Sequence, residues 1–120
     1  MDISTRLAAV ASRLIDQEQA RVIVPPQRTG PGHWFGGGNM AQDPQGNLWL
    51  TGRFRNQGDS RTGLGAGERG LELAIYRSVD NADSFEKVLA FSKADLNVGT
   101  HEVLSIEGTA LRFKIGRAHV

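Results

Sequence analysis

Carboxylates, arginines, tryptophans and three histidines are the residues of this sequence whose types allow chemistry. Glycoside hydrolysis usually needs two carboxyl groups flanking the scissile bond, and the polar loops of this chain carry several. Trp34 and Trp49 can stack on sugar rings, although two tryptophans in a β domain also serve as core. Gly65-Ala66-Gly67-Glu68-Arg69-Gly70 matches G-x-G-x-x-G. A dinucleotide site requires a strand before that motif and a helix after it. Here a polar loop precedes it and a β-prone run follows, so no cofactor is expected. His33 and His101 have no ligand partner at metal-site spacing, and no metal is expected. No Ser lies in G-x-S-x-G. The absence of Cys excludes a thiol nucleophile, a thiolate metal site and a disulfide scaffold.

The elements that must position such residues fit within one domain, since the chain has 120 residues. Fourteen basic against 13 acidic residues give a net charge of +1, which leaves no basic patch for nucleic acid. Gly is in excess, 15 of 120 residues against an average near 7%. No run approaches the ~18 apolar residues of a membrane span. The uncharged stretch 7–12 is too short for a signal peptide, and Asp2 stands where a basic start is usual. The expectation is a soluble cytoplasmic protein with no membrane partner. The last six residues, Ile115-Gly116-Arg117-Ala118-His119-Val120, resemble one reading frame of a DNA-sequencing adapter. Residues 115–120 are therefore set aside as non-native, with the native chain expected to continue beyond Lys114.

Residues 3–20 have helical periodicity, with Leu7, Val10, Leu14 and Ile15 on one face and Ser4 or Asp2 as cap. Packing of that face against the rest of the protein is favoured over a membrane surface, because the stretch has no large aromatic and only two Arg. Arg21-Val22-Ile23-Val24 is β-prone and is stopped by Pro25-Pro26. Residues 1–24 are thus an N-terminal appendage, and residues 25–33 a Pro/Gly linker. Beyond it, strands are expected over 34–42, 47–54, 71–77 and 85–91, with turns at 43–46 and 78–84 and a polar Gly-rich loop over 55–70. Two further strands are expected at 103–106 and 109–113, around Gly108. Four short antiparallel strands followed by a restart describe one blade of a β-propeller and the start of a second. A β-sandwich is the competing fold.

The turn Ser78-Val79-Asp80-Asn81-Ala82-Asp83-Ser84-Phe85 resembles the Asp-box of sialidase-like propellers, Ser-x-Asp-x-Gly-x-Thr/Ser-Trp/Phe, at Ser78, Asp80, Ser84 and Phe85. Ala82 replaces the usual Gly, which predicts a relaxed turn. Asp80 can accept hydrogen bonds from the turn's own amides and Phe85 can pack between blades, so these residues are structural. The resemblance covers residues 34–113. It implies a mainly β fold: an N-terminal helix, one four-stranded antiparallel blade and part of a second, within a five- or six-bladed propeller glycoside hydrolase. The remaining blades are missing from residues 34–114, and one blade alone is expected to be poorly stable and inactive.

The same resemblance implies where a site would lie. In sialidases, strand two leads through an Arg into a loop carrying an Asp acid/base. Here Leu48-Trp49-Leu50-Thr51-Gly52-Arg53-Phe54-Arg55 leads to Asp59. Asp59 is the implied acid/base and Arg53 or Arg55 the implied substrate contact; Trp34 is a further candidate contact through the sugar-stacking chemistry of its ring. Where that family carries Phe-Arg-Ile-Pro, this chain has Phe35-Gly36-Gly37-Gly38, so the family name is a fold label. A second resemblance competes: Gln42-Asp43-Pro44-Gln45-Gly46 is similar to the nucleophile segment of invertase-type five-bladed hydrolases. Ser105-Ile106-Glu107-Gly108 is similar to the general-acid segment of arabinanase-type enzymes. Asp43 has an alternative reading as a hairpin turn, Asp59 as a solvated loop carboxylate, and Glu107 as a plain strand or turn residue. The functional expectation is a glycosidase acting on a carbohydrate substrate. The alternative is a non-catalytic carbohydrate- or protein-binding propeller.

Overall fold

A computed structural model describes residues 1–57 and 70–114. Asp59 lies outside the described residues, as do most of the G-x-G-x-x-G match and the whole of residues 115–120. One helix, α1 (Ile3–Leu14), precedes five strands: β1 (Trp34–Gly36), β2 (Met40–Gln42), β3 (Leu48–Arg55), β4 (Glu72–Ser78) and β5 (Glu86–Ser92). A short 3-10 turn at Ala94–Leu96 follows. The strands form one antiparallel sheet in the order β1-β3-β4-β5, with β2 also paired to β3. The sheet is open.

β1 and β2 are two halves of the single strand expected over 34–42. Gly37 interrupts them with φ +71, a backbone that L side chains rarely adopt. Gly38 follows so close to the Thr51 carbonyl that no Cβ fits there. Thr51 donates its amide to Asn39 across the break, at 3.0 Å, so β3 spans both halves.

Strand alternation and this register put Phe35, Leu50, Phe54, Ala74 and Tyr76 on one face, called the front. Phe54 and Ala74 are buried there with Val24, and Phe35, Leu50 and Tyr76 pack around them. The Phe35 ring lies 5.0 Å from Phe54 and 5.3 Å from Tyr76, in tilted and edge-on geometry. The opposite, back face carries Trp34, Trp49, Thr51, Arg53 and Arg77.

Each face is covered by a segment expected to be a strand that joins no ladder. Residues 21–24 form no strand; Val24 instead plugs the front face. Residues 103–106 and 109–113 likewise form none, because their amides find scattered partners. Ile106 donates to the Gly70 carbonyl at 3.0 Å, Thr109 to that of Gly37 at 3.0 Å and Leu111 to the Asn39 side chain at 2.6 Å. This second segment lies on the back face, where Phe113 meets Trp49 edge-on at 5.9 Å.

The helix is shorter than the periodicity implies. Asp2 caps it, accepting from the Thr5 amide at 2.8 Å. It ends at Leu14 because the Asp16 carboxylate takes the amides of Glu18 and Gln19, at 3.1 and 3.3 Å, into a local turn. No helix is long and apolar enough to cross a membrane among the described residues.

Candidate functional site

The turn between β4 and β5 is built around two side chains. Ser78 is buried, donates to Asp80 Oδ1 at 2.8 Å and accepts the Ala82 amide at 2.9 Å. Asp80 Oδ1 also accepts the Ser84 amide at 2.9 Å, while Oδ2 accepts the Ser84 hydroxyl. Those donors favour the carboxylate, the Ser84 hydroxyl most of all, and lower the Asp80 pKa to about 2. The turn is not relaxed: Asn81 and Ala82 have φ of +55 and +70. Ala82 keeps the left-handed backbone a Gly would adopt freely, held by Ser78 on its amide and by Arg21 on its carbonyl. Phe85 is half-buried just ahead of β5.

A second carboxylate turn joins β2 to β3. Asp43 Oδ1 accepts the amides of Gln45 and Asn47, at 3.0 and 2.8 Å. Its Oδ2 accepts the Asn47 side chain at 3.1 Å and Trp49 Nε1 at 2.9 Å. The Trp49 indole, first among these donors, holds the Asp43 pKa below the usual carboxylate range. This is the geometry that the hairpin-turn reading of Asp43 requires.

The third cluster lies at the far end of β3, on the back face. The Arg53 side chain is only 9% exposed; its Nη2 reaches Glu107 Oε2 at 3.4 Å, and Glu107 is 48% exposed. The guanidinium stacks over Trp34 at 4.9 Å, and its Nη1 is buried with no hydrogen-bond partner among the described residues. Ser105 donates to Glu107 Oε1 at 2.7 Å. Arg55 follows on the same face, half-buried and opposite Trp34 in register.

Arg53, Trp34, Arg55 and Glu107 are thus brought together. Asp43 is not with them: it is fastened through Trp49, and Glu107 through Arg53, four residues or about 13 Å of strand apart. Carboxyl pairs of glycosidases stand roughly 5–10 Å apart. Among the described residues no group of three His, Cys, Asp or Glu is placed to hold a metal ion.

One feature escapes sequence reasoning. An open apolar groove of about 320 Å³ runs between residues 22–24 and the broken edge strand, lined by Val22, Val24, Phe35, Gly37, Leu50 and Thr51. Its signal was the Val22-Ile23-Val24 run, which reads as a strand but acts as a strap. The strap is tied at one end by Arg21 to the Ala82 carbonyl and at 3.9 Å to Asp83. Beyond its other end, Gln27 bonds Glu72 at 3.4 Å and Asn56 at 3.5 Å. No protein-family model, curated protein or solved structure matches this chain.

Proposed function

We propose that this chain supplies one blade of a sialidase-like β-propeller whose assembled ring hydrolyses a glycosidic bond. The observation that carries this reading is the turn at 78–85. Its Ser78–Asp80–Ser84 hydrogen bonds and left-handed residue 82 join the third and fourth strand positions of an antiparallel meander. In this reading Arg53, backed by Glu107 and flanked by Trp34 and Arg55, contacts the sugar, and Asp59 is the acid/base.

A second reading has its own support. All four contacts of the Asp43 carboxylate come from its own hairpin, and Glu107 is engaged by Arg53 and Ser105. A propeller that binds carbohydrate without cleaving it needs no more than this.

The test begins with reading the source gene through codon 114. Asp-boxes recurring about once per blade support the propeller; a frame without them overturns it. The full-length product is then assayed on fluorogenic glycosides, alone and as Asp59→Asn. A loss of about 10²-fold or more supports a catalytic Asp59. An unchanged rate removes Asp59 from the mechanism, and sugar binding without turnover in the unaltered protein establishes the second reading.

A further inference from the structure

Two apolar surfaces of this molecule lie bare within a short tether of each other. The first is the seam of α1. Ile3, Leu7, Val10 and Leu14 recur at spacings of four, three and four, which aligns them along one side of the helix. They are between 59% and 77% exposed, and among the described residues α1 touches no other element. A surface helix with such a stripe normally buries it. The second surface is the groove beside residues 22–24, where Val22 and Ile23 leave apolar lining open to solvent.

The chain between them is residues 15–20, which spans at most about 20 Å. Within it the chain turns, with the Asp16 carboxylate accepting the Glu18 and Gln19 amides and Ala20 donating to the Gln17 carbonyl at 3.4 Å. The downstream end is anchored, because Arg21 is clipped to the turn at 78–85 and Val24 is sunk in the front face. A helix of 12 residues, about 18 Å long, is therefore joined by a short tether to a fixed point at the mouth of the groove. So short a tether keeps the local concentration of the seam at the groove in the millimolar range. Removing both surfaces from water is the driving force.

We propose that α1 is a lid. Rotation about residues 15–20 lays the Ile3-Leu7-Val10-Leu14 seam over the groove formed by Val22, Phe35 and Leu50 in the same chain. The polar side, with Arg6 and Arg13, stays in water. Closure covers the broken edge strand at Gly37 and Gly38 and needs no change in the sheet.

The chain has no Cys, so one introduced cysteine carries a spin label cleanly. Ser12→Cys places the label on α1, and relaxation enhancement is read at the amides of Gly37 and Leu50. The expected result is broadening at both, which disappears when Leu7 and Leu14 are also changed to Ser. Absence of broadening, or broadening indifferent to the seam, overturns the lid. Broadening of unlabelled isotope-enriched chain mixed with labelled chain shows that a second copy fills the groove, and also overturns it. A label-free check uses the same double variant, whose seam is solvated in the open form so that the sheet is undisturbed. Hydrogen exchange at Gly37 and Leu50 accelerates about tenfold in that variant if the lid closes, and stays unchanged if it does not.

Discussion

Ala82 stands in a left-handed backbone, the conformation that Gly adopts without strain. Its φ of +70 brings Cβ toward the following carbonyl, at a cost of about 1–2 kcal/mol for an L residue. Ala82→Gly removes that strain, while the greater freedom of Gly in the unfolded chain offsets roughly 0.4–1 kcal/mol. The net expectation is a stabilisation of about 0.5–1 kcal/mol, read from urea unfolding. A destabilised variant would show that the methyl group contributes contacts the turn needs. Asp80 predicts a pH dependence in the same turn. Its carboxyl ionises near pH 2 in the fold instead of 3.8, so the unfolded chain binds the proton more readily. The contribution is therefore complete above about pH 4 and is lost as pH falls through 2. Asp80→Asn should flatten the acid limb of thermal stability over that window and lower stability at pH 6. An acid limb of unchanged steepness would assign it to other carboxylates. For Asp43 the leading donor is the Trp49 indole, so Trp49→Phe should raise its pKa toward the ordinary value in an NMR titration.

At the scale of elements, the central strands were legible because both their alternation and their turns are local. The expected runs 47–54, 71–77 and 85–91 each lie one residue from β3, β4 and β5. What failed depended on partners distant in sequence. Residues 21–24 and 103–113 have strand-like composition, but their partners are single side chains and carbonyls far away in sequence, and they cover the two faces of the sheet instead of extending it. The helix ends six residues before its periodicity does, because periodicity does not register the Asp16 side chain competing for the next amides. Of the site, Arg53 and Glu107 each stand out in the sequence, but their contact is not legible there: 54 residues separate them, and only the crossing of the back face joins them. The edge strand offers a test of why it is broken. Gly38→Ala forces Cβ onto the Thr51 carbonyl and should cost about 1–3 kcal/mol, as overpacking does. A neutral result would mean that β1 and β2 can shift apart.

At the scale of the molecule, the question is how much apolar surface this arrangement removes from water. Among the described residues the buried hydrophobics are Val24, Phe54, Ala74 and Ile106, and the largest fully buried side chain is Ser78. The radius of gyration is 17.9 Å, where a compact domain of this length has about 14 Å. Each face of the sheet is covered by one irregular segment, and α1 adds no burial while the lid is open. Denaturant sensitivity scales with the surface exposed on unfolding. This chain should therefore unfold over a broad range of urea, with a slope below that of typical 120-residue domains and no sharp calorimetric peak. Closure of α1 opposes this only in part, since it covers the groove and leaves Leu89 and the outer edge of β5 in water. A cooperative transition from a monomer, checked by sedimentation, would refute this expectation and the single-blade reading with it. The propeller reading requires the opposite behaviour when further blades are present. Neighbouring blades would cover both faces, and the full-length product should then unfold in one steep, concentration-independent step.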